Sequence, residues 1–439
     1  LRLRSSGFWW LLSKEWAELL SSWVWWVFLL LMGPLVGVSF VSAVHTYAEA
    51  SGLHGTSAGV GEAFSPLVGI WAPTFSACEV AAVFLLPFVA IRLMAGDRQS
   101  GALKLELQHP MSAFTRIAAK ALVLLAGWLI ALLAPMMAVV LWKSYGGSIY
   151  APEVATVILG HVLNAGIAAA LGCATASIAE HPATAAILTL TVTVGSWIVT
   201  FIAAVHGGFW EQIDDYTPTL MVAEFQHGLI RLDVLLIAAA FILAGFALAA
   251  IWMRLGVAVR RRVYESVIVA VIAIIVIFPS AFARPTWDMS ENRMNSFSRD
   301  DEQALSRIRS PLRIEVHLAP EDPRRVDLEN RTLAKLRRVM PRVHIEYVSA
   351  TSIGLFEQAN PGYGEIWYEL EGHRTMTRAV TPEAALDTIY GLAGITPPSN
   401  DETFRGHPLA VPPWGATIVF YGVWPLAVAV WFITERRLR

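Results

Sequence analysis

Trp23-Val24-Trp25-Trp26-Val27-Phe28-Leu29-Leu30-Leu31-Met32-Gly33-Pro34-Leu35-Val36-Gly37-Val38-Ser39-Phe40-Val41-Ser42-Ala43-Val44 runs without a single charged residue. Lipid offers no partner for an exposed backbone N–H or C=O, so a segment that crosses it must bond internally. A hydrocarbon core about 30 Å thick takes roughly 20 apolar residues of helix, each rising about 1.5 Å. The quoted run meets that length. So do Leu67 to Leu93, Ala121 to Leu141, Ala155 to Ala179, Ala183 to Val205, Val234 to Met253, Ser266 to Ala283 and Trp414 to Ile433, and we read eight spanning helices.

Composition agrees. Of 439 residues 55% are hydrophobic and 15% charged, against roughly a quarter charged in an ordinary soluble domain. An ordinary soluble enzyme is thereby excluded. About half of the 33 Lys+Arg and 35 Asp+Glu lie between Arg284 and Pro413, a polar island in an apolar chain. The net charge of -2 supplies no basic field for nucleic acid. Cys78 and Cys173 both sit in apolar stretches, so there is no disulfide framework and no metal-type Cys spacing.

Orientation follows from the short loops. With the N-terminus cytoplasmic, the inner side collects Arg2, Arg4 and Lys14, then Arg92, Arg98, Lys104, Arg116 and Lys120, then Arg254 and Arg260 to Arg262, then Arg436, Arg437 and Arg439. The short outer loops hold Lys143 and Arg231. Both termini are expected in the cytoplasm of a multi-pass bacterial inner-membrane protein, with the island 284–413 outside. The chain starts at Leu1, and its start does not read as a cleavable signal, because Lys14 and Glu15 interrupt the apolar run. Phe8, Trp9, Leu11, Leu12, Trp16, Leu19 and Leu20 recur at roughly helical spacing instead. They describe either an interfacial helix over 1–22 or an extension of the first span.

The island reads as a small α/β domain. Ser298 ahead of Asp301 is an N-cap signal. Ile314, Val316 and Leu318 alternate with polar residues as a strand; Leu328, Leu333, Leu336 and Val339 mark a basic amphipathic helix; Val343, Ile345 and Tyr347 alternate again. A strand-helix-strand unit with a short crossover favours a parallel pair. Ile366 to Tyr368 and Thr375 to Thr377 flank Gly372 as a hairpin, and Thr381-Pro382 opens a last helix ending near Gly394. The order βαβ then ββα is that of a thioredoxin-like fold, here without cysteine and so without disulfide chemistry. The prolines 397, 398, 408, 412 and 413 make a stiff tether back to the membrane.

The loop between the second and third spans carries the most information: Arg92-Leu-Met-Ala-Gly-Asp97-Arg98-Gln-Ser100-Gly101-Ala-Leu-Lys-Leu-Glu106-Leu-Gln-His-Pro110-Met-Ser112. It resembles the corresponding loop of ABC-2 type permeases, in which Arg, an acidic residue, Arg, x and Ser-Gly-Thr-Leu-Glu are followed by Pro-hydrophobic-Ser and a later Gly-Lys. Asp97, Arg98, Ser100, Gly101, Leu103, Pro110 and Ser112 match, and Lys120 stands at the family's lysine. Ala102, Lys104 and Ala119 depart from it. Lys14-Glu15 matches the family's early Lys-Glu. The resemblance covers about the first 255 residues. It implies a six-helix, type V exporter-like bundle over 23–255, whose loop 95–117 forms a coupling helix in a cleft of an ATPase subunit. The implied coupling residues are Lys14, Glu15, Asp97, Arg98, Ser100, Gly101, Glu106 and Pro110. It also implies a second permease copy or paralogue, with ATP and Mg held by the partner ATPase. The bland alternative is a basic inner loop that only satisfies the orientation rule.

No Gly-x-x-x-x-Gly-Lys-Ser/Thr occurs, so the chain has no phosphate cradle of its own, and no catalytic role or bound cofactor is expected. Beyond the sixth span, Thr286-Trp-Asp288-Met-Ser290-Glu-Asn292-Arg293-Met-Asn295-Ser296-Phe-Ser298 resembles the start of the auxiliary subunit of gliding-motility-type ABC systems, and Gly364-Glu365-Ile366 matches a later strand of it. The implication is a permease fused to a shortened auxiliary subunit: a seventh span over 256–283, the domain 284–413, and an eighth span with a tail over 414–439. Such a domain could dock a periplasmic client.

Intramembrane polar groups are costly and often functional. Glu79 either lines a cavity and holds a cationic or hydrogen-bonding substrate group, or is a protonated carboxyl bonded to a neighbouring helix, for example at His161 or Asn164. The segment Gly207 to Leu229 either dips into the outer leaflet or forms a plain loop. The 11 His are scattered without ligand spacing, so no metal site is expected. A membrane enzyme built on Glu79 and His161 lacks a nucleophile, metal set or cofactor motif. Two functional classes remain open: ATP-driven export of an unknown substrate, and an ATP-driven machine that works on a periplasmic protein.

Overall fold

The computed structural model describes residues 2–53, 64–99, 111–206, 209–254, 256–283, 285–319, 322–340, 342–348, 362–398, 404 and 406–438, without the side chains of 2–6, 53, 97–99 and 211. The chain divides into two compact units, one comprising 1–197, 216–285 and 405–439, the other 198–215 and 286–404.

The first unit is helical. Among the described residues eight helices are long and apolar enough to cross a membrane: Trp23–Gly52, Leu67–Gly96, Ala113–Ser144, Ala151–Ile178, Pro182–His206, Leu232–Trp252, Val259–Ser280 and Ala416–Leu438. They are numbered here as the first to eighth spans. A separate helix, Arg2–Ser21, precedes them, broken from the first span only at Ser22. Ser112 starts the third span as an N-cap, accepting from the Thr115 N–H at 3.1 Å.

The second span is not uniformly α-helical. It runs through two π-helical turns, Leu67–Trp71 and Ala81–Leu85, on either side of the α segment Ala72–Val80. Wide turns of this kind mark functional positions more often than ordinary helix does. The outer segment is helical at Phe209–Asp214 and Pro218–Gln226, and Thr217 caps the latter by accepting from the Leu220 N–H. Met221 and Phe225 of that helix are buried with Val234 and Ile237 of the sixth span, so Pro218–Gln226 is a packed element rather than a plain loop.

Small residues bring the helices together, because close backbone approach is what membrane helices have in place of a hydrophobic drive. A Cβ on Gly245 of the sixth span would lie 2.9 Å from Ala170 Cβ of the fourth, and one on Gly160 would lie 2.4 Å from Phe225 Cβ. The eighth span docks on the first in the same way: Gly33 faces the Trp424 ring and Gly37 the Phe420 ring, with 2.2 and 2.6 Å to the nearest atoms from an added Cβ. Trp424 Nε1 donates to the Leu29 carbonyl at 2.8 Å, and Trp26 packs edge-on against Trp431 and Phe432. The tether residues entering this helix are bonded too. The Tyr47 hydroxyl donates to the carbonyls of Phe64 and His407, and the Leu409 N–H donates to Ser51 Oγ. The seventh span, by contrast, leaves Ile272, Ile274, Ile275 and Phe278 exposed.

The second unit holds the α/β domain. Its sheet comprises β1 Leu312–Val316, β2 Val343–Tyr347, β3 Ile366–Leu370 and β4 His373–Thr377, in the order β2-β1-β3-β4. β1 and β2 are parallel, Ile314 opposite Ile345; β1 and β3 are antiparallel, Ile314 opposite Tyr368; β3 and β4 form a hairpin. The helical crossover Pro323–Val339 dictates the parallel pair, and the connectivity is the one expected for a thioredoxin-like arrangement. The hairpin turn places Glu371 and Gly372 at φ 54° and 81°, the two left-handed positions that match a tight turn to the strands' twist. Leu312, Ile314 and Val316 meet Ile366, Tyr368, Leu336 and Ile389 in one core. Ser298 caps Arg299–Arg307 by accepting from the Asp301 N–H, and Thr381 caps Pro382–Ala393, which ends on Gly394 at φ 65°.

Candidate functional site

The helix Arg2–Ser21 buries Leu11, Glu15 and Leu19, one turn apart, while Trp9 and Trp10 stay exposed. A carboxylate in an apolar stripe needs a counter-charge. Glu15 has it in Lys120 of the third span: Nζ and Oε2 are 2.6 Å apart, and both side chains are 0% exposed. Lys120 Nζ also donates to the Leu93 carbonyl of the second span at 3.1 Å. One ammonium thus ties the N-terminal helix, the end of the second span and the start of the third.

Further charges surround this junction. Lys14 Nζ lies 3.2 Å from both Glu15 and Glu18. Gly96 leaves room for the Glu18 carboxylate, since a Cβ there would sit 2.4 Å from Glu18 Oε1 and 3.1 Å from Arg92 Nη1. Arg116, one turn before Lys120, is buried as well. Asp97 and Arg98 belong to the last turn of the helix Leu86–Gln99, and their side chains lie outside the description. Ser100, Gly101, Glu106 and Pro110 fall in 100–110, outside the described residues. The sequence pointed to Lys14 and Glu15 but did not couple Glu15 to Lys120. The signal was present, since Glu15 and Lys120 each interrupt an apolar helical face.

Glu79 ends the α segment between the two π turns. Its Oε1 accepts from Trp197 Nε1 of the fifth span at 2.8 Å, not from His161 or Asn164. Phe75, one turn earlier, lays its ring against His161 at 5.8 Å between centroids. His161 instead lies 3.4 Å from Gln226 Nε2, and His161 and Asn164 are both buried in the fourth span. The structure therefore does not join the three as one cluster. Trp197 belongs to a polar stripe of the fifth span that the sequence reading missed. Thr189 meets Thr175 at 2.7 Å, Thr193 donates to the Val83 carbonyl inside a π turn at 3.4 Å, and Ser196 meets Thr219 at 2.7 Å. The spacing 189, 193, 196, 197 is one helix face and was legible.

The model of the family described as ABC-2 family transporter protein matches residues 9–227. Through this region the chain belongs to the ABC-2 transporter family. No curated protein and no solved structure matched the chain. The ABC-2 region takes in the N-terminal helix, the first five spans and the Glu15–Lys120 junction, and it identifies a multi-pass membrane transport component. The match stops before the sixth span, short of the roughly 255 residues that the loop resemblance suggests.

Outside the ABC-2 region, the stretch Asp288 to Ser298 forms a knot of local hydrogen bonds. The Asp288 carboxylate accepts from the Ser290 N–H and hydroxyl and from the Asn295 N–H and Nδ2. Arg293, at φ 51°, reaches Glu302 at 3.0 Å, and Lys335 donates to the Ser296 carbonyl. These polar residues hold the entry to the α/β domain in shape. Among the described residues no group of His, Cys, Asp and Glu could hold a metal ion.

Proposed function

We propose that the chain is the permease subunit of an ABC transporter, driven by ATP and Mg bound to a separate ATPase subunit. The observation that carries this is the buried Glu15–Lys120–Leu93 junction. It fastens together the two helices that lead into and out of 100–110 and locks both to the N-terminal helix. A push on the segment from Asp97 to Pro110 then moves these helices as one body, which is what coupling to an external motor requires. Two permease copies, or this chain and a paralogue, form the membrane dimer; ATPase closure rocks the bundles, and an unknown substrate leaves outward, with Glu79 and Trp197 at the cavity wall. The Lys and Arg distribution supports cytoplasmic termini in a bacterial inner membrane and an extracytoplasmic domain 284–413.

The test is reconstitution with an ABC ATPase subunit that co-purifies with the chain. Joint replacement of Asp97, Arg98 and Glu106 abolishes permease-stimulated ATP hydrolysis while leaving the purified chain folded. Intact stimulation in that variant overturns the coupling role.

A second reading is favoured by one observation. The α/β domain is held covalently between two helices that dock differently: the seventh span, largely exposed, and the eighth, keyed into Gly33 and Gly37 of the first. That arrangement suits a machine that transmits movement of the ABC-2 bundle to a periplasmic client without moving a substrate. Cutting the tether after residue 398 stops client activation under this reading and leaves export unaffected under the first.

A further inference from the structure

Three spans of the ABC-2 bundle fail to close on one another near mid-membrane. The third span, from Ala121 to Trp128, faces the fourth and sixth across a groove of about 340 Å³. The fourth span contributes Val162, Leu163, Ala165, Gly166 and Ala169, and Ile242 and Phe246 of the sixth span stand at the side. The lining side chains are hydrocarbon apart from the indole N–H of Trp128. The gap is local, because the same two helices pack backbone to side chain at Gly245 and Ala170. Leu122 and Leu125, on the rim, are 46% and 40% exposed, so the groove opens sideways from the bundle rather than along its axis.

Protein interiors do not keep empty space on this scale; the groove is about twice the roughly 150 Å³ apolar cavity that takes up benzene. The one polar group on the groove's lining side chains is the unbonded Trp128 Nε1–H, and a single donor falls short of the two to four partners that hold a buried water. The lining residues stand near the middle of the fourth and sixth spans and in the first half of the third, at a depth where the medium at the open side is hydrocarbon. The lined stretch of the third span rises about 10 Å at roughly 1.5 Å per residue, which is about two-thirds of one leaflet's share of a 30 Å core. An extended hydrocarbon tail fits that length, and a polar headgroup has no ligand there.

We propose that this groove is a binding site for one acyl chain of a bilayer phospholipid, seated between the third, fourth and sixth spans. The chain lies along Ala165, Ala169 and the third-span leucines, beside the point where Ile242 covers Gly166, and stays there longer than the lipid around the bundle.

The test places the full chain in phosphatidylcholine vesicles doped with a phosphatidylcholine carrying a mid-chain diazirine, and maps adducts after illumination. Residues 121–128 and Phe246 label several-fold above Ile274 and Ile275 of the seventh span, which are 64% exposed and set the level of passing lipid. Ala169→Leu fills the floor and Leu122→Trp the rim; each lowers groove labelling to that level and leaves Ile274 and Ile275 unchanged. Equal labelling of groove and seventh span in the unaltered chain overturns the proposal, as does groove labelling that survives both substitutions. A Leu122→Cys chain that forms disulfide-linked pairs overturns it too, because a second copy then occupies the groove.

Discussion

Replacing Lys120 by Met keeps the length and shape of the side chain and removes its charge. The Glu15 carboxylate, 0% exposed, then loses the ammonium 2.6 Å away, and the Leu93 carbonyl loses a donor. Removing one partner of a buried ion pair costs about 3–5 kcal/mol, because the other charge stays in a place water does not reach. Lys14, 3.2 Å from Glu15 and 23% exposed, swings toward the carboxylate and holds the loss near the lower end of that range. Glu15→Gln likewise leaves the Lys120 ammonium buried without its counter-charge, and is milder only in so far as two oxygens still accept from it. The amide oxygen still accepts from Lys120, and the Leu93 bond survives, so the loss is that of one charge-assisted bond, about 1.5–3 kcal/mol. The double variant removes both buried charges, so its loss falls short of the sum of the singles by at least about 1 kcal/mol.

The cycle is read twice, by thermal or denaturant unfolding of the purified chain and by stimulation of the partner ATPase. Lys120→Met is expected to uncouple hydrolysis from the membrane helices at temperatures where the chain is still folded, because the N-terminal helix parts from the third span before the bundle melts. Additive losses in the cycle, or a Lys120→Met chain as stable as the unaltered one, would refute the assignment of the junction as a buried, mutually dependent pair.

Gly33→Ala and Gly37→Ala each push a methyl into Trp424 or Phe420; a loss of about 1–3 kcal/mol from overpacking is expected, with reduced cross-linking between cysteines placed on the first and eighth spans. Trp197→Phe removes the donor at Glu79; the orphaned carboxyl costs about 1–3 kcal/mol, and adding Glu79→Leu recovers most of the unfolding temperature. Asp322 N-caps Pro323–Leu328 by accepting from the Arg324 N–H at 2.9 Å. Burial pushes its carboxyl up, but the Arg324 side chain and backbone and the Tyr363 hydroxyl pull it further down, below its ordinary value. A lowered carboxyl stabilises the fold above the unfolded value of about 3.9 and loses that contribution as pH falls through the folded one. Asp322→Asn keeps the cap, because Asn caps about as well as Asp, but loses the charge that Arg324 pairs with; it is therefore less stable than the unaltered chain at neutral pH by up to about 1 kcal/mol, and the gap closes in acid. Equal gaps at both pH values would remove the charge from the account.

What was legible in the sequence was what depends on near neighbours. An uncharged run such as Trp23 to Val44 needs no distant partner to be read as a spanning helix, and Ser298, Thr381-Pro382 and Gly394 act within a turn or two of themselves. The parallel pairing of β1 with β2 was accessible because the crossover between them is short. Glu15 and Lys120 are 105 residues apart, and Glu79 and Trp197 are 118 apart. Each residue could be flagged as out of place on an apolar face, but nothing local says which partner answers it. His161 illustrates the failure: it looked available to Glu79, but it stacks on the Phe75 ring while Glu79 accepts from Trp197. The docking of the eighth span, with Trp424 bonded to Leu29 across 395 residues, left no trace beyond two glycines in an apolar run.

That docking bears on what the two extra spans do. A helix that only anchors the α/β domain would need length and apolarity, as the seventh span has, and nothing else. The eighth span adds ring-into-glycine contacts, a buried indole hydrogen bond and aromatic packing at Trp23 and Trp26, all on the first span. The first span follows directly after the helix that Glu15 fastens to Lys120. Movement imposed at the junction thus has a stiff route through the first span to the eighth, and from there through the hydrogen-bonded tether at His407 and Leu409 toward the domain. The seventh span packs instead along the sixth, Trp252 Nε1 donating to Ser266 Oγ at 3.0 Å, and leaves its other face exposed. Under the force-transmission reading, cutting the tether after residue 398 leaves ATPase stimulation intact and abolishes work on the client, whereas cutting before the seventh span removes the domain but preserves stimulation. Under the export reading neither cut changes substrate efflux. The two readings separate on whether the eighth span must stay joined to the domain, or only to the first span.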